Sequence, residues 1–103
     1  ILETIWVWSF VIAGPKPFPI WIPFAPASID AGATGVQIGN GFGQVITKNQ
    51  IKKISEIVKN RCSIKAVGGI KTFNQAIEII ESGSTYIGTS YGFEIALEQK
   101  KNE

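Results

Sequence analysis

The residues whose types and spacing could do chemistry are Gln37, Lys65, Cys62 and an ordered series of glycines. Val36-Gln37-Ile38-Gly39-Asn40-Gly41-Phe42-Gly43, Ile64-Lys65-Ala66-Val67-Gly68-Gly69-Ile70 and Tyr86-Ile87-Gly88-Thr89-Ser90-Tyr91-Gly92 are three short apolar runs that each lead into glycine. Parallel strands have this form when each delivers its carboxyl end to one shared site, where glycine lets the backbone close on a ligand. A lysine such as Lys65 has two uses there: a neutral amine attacks a carbonyl, and a charged one binds phosphate or reaches solvent. Cys62, just before a strand, reads as a buried or loop thiol rather than a nucleophile. The chain has no histidine, so a Ser-His-Asp or His-metal site within it is excluded. Gly39 to Gly43 lacks the full G-x-G-x-x-G spacing of a dinucleotide loop.

The elements that must position these residues follow from periodicity. Thr34 to Ile38 reads as a strand after a turn at Gly32, with residues 39–43 as a loop. Thr47-Lys48-Asn49-Gln50 has capping-box spacing and starts a helix over 48–60, with Ile51, Ile54, Ile57 and Val58 on one face. Ser63 to Val67 is the next strand. Thr72 to Gln75 is a second capping box, opening a helix whose buried stripe is expected at Phe73, Ala76, Ile77 and Ile80, and which stops at Gly83. Thr85 to Thr89 is a third strand, followed by a helix over 92–100. Glu78, Glu81, Glu94 and Glu98 are expected on solvated outer faces. Alternation of strand and helix at this spacing means a parallel α/β architecture.

Residues 1–27 are of another kind. All five prolines and all three tryptophans lie there, and between Ile5 and Ala27 the only charged residue is Lys16. The length and hydropathy of this segment approach those of a membrane span, but prolines at 15, 17, 19, 23 and 26 would break helix hydrogen bonds in lipid. No basic start marks a secretory signal. Pro-Lys-Pro-Phe-Pro has the form of a polyproline II ligand for an aromatic groove. The favoured reading is a divergent, partly irregular segment of the kind a local frameshift or a defective gene produces, with the regular domain over 28–103.

Composition bounds the rest. A length of 103 residues suits one modest domain, whereas a complete (β/α)8 barrel takes about 250. The chain starts on Ile1 and contains no methionine, so it is expected to begin inside a longer reading frame. A net charge of +2, with the lysines dispersed, gives no basis for a nucleic-acid partner. A single cysteine makes no internal disulfide and suits a reducing, cytoplasmic compartment.

Taken together, Asp30 to Gln37 with Gly41-Phe42-Gly43, Ile64 to Thr72, and Ile87-Gly88-Thr89-Ser90 resemble the carboxy-terminal half of the deoxyribose-phosphate aldolase family. Ile1-Leu2-Glu3-Thr4 resembles the end of that family's fifth barrel strand, whereas residues 5–27 do not resemble its helix. The resemblance implies a partial (β/α)8 TIM barrel comprising strands five to eight. It also implies a cofactor-free, class I lyase that splits 2-deoxyribose 5-phosphate reversibly into glyceraldehyde 3-phosphate and acetaldehyde through a Schiff base.

The same resemblance assigns site residues. The imine-forming lysine of the family falls on Gln37, whose delocalised carboxamide nitrogen forms no imine; it could still hydrogen-bond a sugar hydroxyl. Lys65 matches a second active-site lysine whose charge favours the neutral form of its partner amine. The main-chain phosphate site falls on Gly41, Gly68, Gly69, Gly88 and Ser90, with the helix start near Thr72 adding a favourable dipole. The family's proton-relay aspartate belongs to an earlier strand, and Asp30 stands on the wrong side to replace it. Weak or absent activity follows. The implied partners are a small phosphorylated sugar and, to complete the barrel, a second copy or a complementing amino-terminal half. The remaining readings are a non-catalytic phosphosugar-binding remnant and a fragment with no independent function.

Overall fold

A computed structural model of the chain describes residues 8–12, 21–39 and 45–103. Among the described residues four strands and four helices alternate: β1 (Trp8–Ile12), α1 (Trp21–Asp30), β2 (Gly35–Gly39), α2 (Lys48–Val58), β3 (Ser63–Val67), α3 (Phe73–Glu81), β4 (Tyr86–Gly88) and α4 (Gly92–Lys101). The strands form one sheet in the order β1-β2-β3-β4, with every neighbouring pair parallel. Sequential order with helical crossovers is the arrangement of a barrel segment rather than of a doubly wound sheet.

Period-two burial sorts the strand residues by face. Val36, Ile38, Ile64 and Ala66 are buried and join Ile51, Ile54 and Val58 of α2 and Ala76 and Ile79 of α3 in one core. Gln37, Ser63, Lys65 and Val67 alternate with them and keep partial exposure on the opposite face. That face carries Gln37 and Lys65, two of the residues that the sequence singles out.

Local chemistry fixes the helices that follow β2 and β3. Thr47 Oγ1 accepts from Gln50 N at 3.3 Å while Gln50 Oε1 accepts from Thr47 N at 3.0 Å, and Thr72 and Gln75 repeat the exchange at 3.2 and 3.1 Å. Both capping boxes stand where the spacing predicts them. The Arg61 guanidinium donates to the carbonyls of Val58 and Ile57 at the end of α2, where Lys59 and Asn60 turn the chain with φ of 51° and 62°. On α3 Ala76 is buried as expected and Phe73 and Ile77 are half-buried, but Ile79 is buried in place of the expected Ile80, which is 47% exposed. Steps of three and four fit a 3.6-residue turn equally well from sequence, and packing of α3 on α2, β4 and α4 selects the step of three.

The amino-terminal expectation needs correction. Instead of an irregular run over residues 5–27, β1 occupies Trp8–Ile12 and α1 begins at Trp21. The strand expected at 1–4 lies outside the described residues. The boundary drawn between residues 27 and 28 falls inside α1, whose Ala27 carbonyl accepts from Ala31 N at 3.0 Å. Proline does not forbid this helix. Pro23 sits in the first turn, where amides have no intrahelical acceptor, and Pro26 removes a single amide from a helix that packs on β1, β2 and α2. The abrupt change in composition is therefore not a change in architecture.

Candidate functional site

Register places the polar residues of the open face side by side. Gln37 of β2 pairs with Lys65 of β3, and Lys65 pairs with Tyr86 of β4. Adjacent strands run about 4.8 Å apart, and paired positions project to the same side. Gln37 and Lys65 are both partly buried, so this part of the face is sheltered.

Gly88 closes that patch on the β4 side. A Cβ at this position would lie 2.5 Å from Val67 Cγ1 and 3.1 Å from Lys65 Cε. The lysine stem thus runs close to the bare backbone of Gly88, while Val67 takes up most of the space that a side chain there would need. Three of the residues singled out by sequence, Gln37, Lys65 and Gly88, meet on one face.

The loops after β3 and β4 form the rim. Gly68 and Gly69 have φ of 120° and 69°, a left-handed pair that turns the chain from β3 toward α3. A Cβ on Gly69 would come within 3.0 Å of Val45 Cα, and Ile46 N donates to the Gly68 carbonyl at 2.9 Å. Ser90 is exposed in the loop after β4. Gly41, the remaining member of the predicted phosphate set, lies outside the described residues.

Several contacts near the rim carry no local sequence signal. Glu98, expected on a solvated face, accepts from Phe73 N through Oε2 at 3.1 Å and so caps α3 from α4. The Thr89 hydroxyl donates to the Ile70 carbonyl, and Lys71 Nζ stands 5.6 Å from the centre of the Tyr91 ring. Four amides around the start of α3 already have side-chain acceptors: Gln75 Oε1 takes those of Lys71 and Thr72, Glu98 that of Phe73, and Thr72 Oγ1 that of Gln75. The expected helix-dipole contribution near Thr72 therefore comes from a capped end. A cavity of about 240 Å³ between the starts of α2 and α3, lined by Val45, Thr47, Lys48, Gly69, Gln75 and Glu78 among others, includes none of Gln37, Lys65, Gly88 and Ser90. Asp30 ends α1 and is exposed.

Comparison with known proteins fits this arrangement to a family. The chain is 38% identical over 78 residues to the deoxyribose-phosphate aldolase of Trichormus variabilis, a match covering 76% of this chain and 34% of that protein. It is 41% identical over 78 residues to the enzyme of the same name from Crocosphaera subtropica, with the same shares covered. The chain belongs to the deoxyribose-phosphate aldolase family. It spans about a third of the length of these curated relatives, within their carboxy-terminal half.

Solved structures agree on the fold. The aldolase QR15 superposes with a TM-score of 0.84 at 31% identity, covering 92% of this chain and 43% of that one. A Coccidioides immitis chain provisionally assigned as a deoxyribose-phosphate aldolase gives 0.77 at 24% identity, covering 88% and 38%, which is a likeness of fold. No protein-family model matches the chain. The four parallel strands are thus part of a deoxyribose-phosphate aldolase TIM barrel. Among the described residues no helix is long and apolar enough to cross a membrane.

Proposed function

We propose that this chain carries the carboxy-terminal part of a deoxyribose-phosphate aldolase site, keeping the phosphate cradle while the imine-forming amine is replaced by Gln37. The supporting observation is the register pair Gln37 and Lys65 on the open face, next to the backbone of Gly88. In this reading the substrate is 2-deoxyribose 5-phosphate. Its phosphate is held by main-chain groups at Gly41, Gly68, Gly69, Gly88 and Ser90, and Lys65 supplies positive charge beside the reacting carbon.

The chemistry of the class explains the expected loss. A neutral lysine amine adds to the sugar carbonyl and expels water, and the protonated imine then draws electrons from the carbon-carbon bond that breaks. The Gln37 nitrogen shares its lone pair with its own carbonyl, so this sequence does not start there. Aldol cleavage into glyceraldehyde 3-phosphate and acetaldehyde is weak or absent in this chain. The second reading, phosphosugar binding without catalysis, is favoured by the same substitution. The edge strands β1 and β4 are completed by a second copy or by an amino-terminal half-barrel. A cytoplasmic place in deoxyribonucleotide breakdown belongs to this reading.

Two measurements test it. 2-Deoxyribose 5-phosphate and inorganic phosphate should each raise the thermal midpoint, because a ligand that binds only folded protein stabilises it. Release of acetaldehyde from 2-deoxyribose 5-phosphate should stay at the level of the buffer blank. Absence of any ligand-dependent shift would refute the phosphate cradle, and robust turnover would refute the role given to Gln37.

A further inference from the structure

We infer that Thr89 is a positioning residue: its one hydroxyl locks the β4–α4 loop to the β3–α3 loop in the spacing that a phosphate group requires. The inference rests on the phosphate cradle proposed above and adds a residue to it. Thr89 Oγ1 donates to the Ile70 carbonyl at 2.5 Å and accepts from Tyr91 N at 3.0 Å. Ile70 directly follows Gly69, and Tyr91 directly follows Ser90, so both anchored atoms lie one residue from a proposed phosphate contact.

One end of this joint is immobile. Ile70 is 2% exposed and belongs to the core, which makes its carbonyl a fixed reference for the exposed loop after β4. Two further contacts cross the same seam, from Glu98 to Phe73 N and from Lys71 to the Tyr91 ring. Neither joins the chain next to Gly69 to the chain next to Ser90 through one atom. Oriented main-chain donors bind an anion only when their separation is preset, since a floppy loop must be ordered on binding.

The test uses the full chain with inorganic phosphate as the probe. Thr89→Val keeps the branched shape and deletes the hydroxyl, whereas Thr89→Ser keeps the hydroxyl and deletes the methyl. Titration calorimetry should show phosphate affinity falling roughly fivefold in Thr89→Val, the scale of one lost, partly buried hydrogen bond, and staying within about twofold in Thr89→Ser. Amide exchange at Tyr91 should be faster in Thr89→Val and unchanged in Thr89→Ser. In the unmodified chain, phosphate should slow that exchange, a result independent of whether either variant folds. Unaltered affinity in Thr89→Val, equal losses in both variants, or no effect of bound phosphate on Tyr91 exchange would overturn the inference and leave the cradle standing. No phosphate binding by the unmodified chain would overturn the cradle and the inference with it.

Discussion

Gln37 and Lys65 are register partners on adjacent parallel strands, so a carboxamide and an ammonium group rise from the same face of the sheet beside the bare backbone of Gly88. The pairing is a consequence of strand register. A one-residue slip of β3 against β2 would turn Lys65 into the core, and burial of Ile64 and Ala66 on the helix side prevents it.

Gly88→Ala tests how tightly that face is built. The added methyl would lie 2.5 Å from Val67 Cγ1 and 3.1 Å from Lys65 Cε, so both side chains must move. The expected cost is about 1–3 kcal/mol of stability, read as a lower urea midpoint with an unchanged slope. A midpoint equal to that of the parent would mean that β3 does not crowd Gly88 through Val67 and Lys65.

The rotation of α3 is tested by a pair of truncations. Ile79 is 4% exposed and Ile80 is 47% exposed. Ile79→Ala should cost about 2–5 kcal/mol. Ile80→Ala should change stability by no more than about 0.5 kcal/mol, as surface substitutions generally do. A larger loss for Ile80→Ala than for Ile79→Ala would place the buried stripe where periodicity alone puts it.

Cys62 gives a pH prediction with a definite sign. Burial pushes its thiol above the usual 9.0, against the opposing influence of the Arg61 guanidinium and a backbone hydrogen bond with Val36. The folded chain holds this proton more tightly than the unfolded chain. Its stabilising contribution is therefore complete below the unfolded thiol pKa and is lost as pH rises through the folded value. Iodoacetamide should label folded Cys62 more slowly than a free cysteine at pH 8, with the rate rising at higher pH than in the unfolded chain. Labelling at the free-thiol rate would contradict its burial.

What the sequence made legible was local. Thr47 with Gln50 and Thr72 with Gln75 are spaced so that the helix starts could be read directly, and the glycine-ended runs marked β2, β3 and β4 in order. The family likeness could be read because three such motifs fall in the right sequence with the right gaps. Residues 8–12 and 21–30 were not legible. Proline and tryptophan there mask a strand and a helix that depend on packing against β2 and α2 rather than on their own propensity. The choice between Ile79 and Ile80 needed the neighbouring helices as well. Glu98 lies 25 residues from the Phe73 amide that it caps, and Thr89 lies 19 from Ile70. No periodicity links residues that far apart.

The central claim is that position 37 is the imine site of this family and that glutamine has silenced it. Acetaldehyde and sodium borohydride, followed by peptide mass mapping, address it most directly in the parent and in Gln37→Lys. The account predicts a reduced adduct at position 37 in the substituted chain and none on any residue of the open face in the parent. An adduct on Lys65 in the parent, or none at position 37 after the substitution in a folded chain, would contradict it.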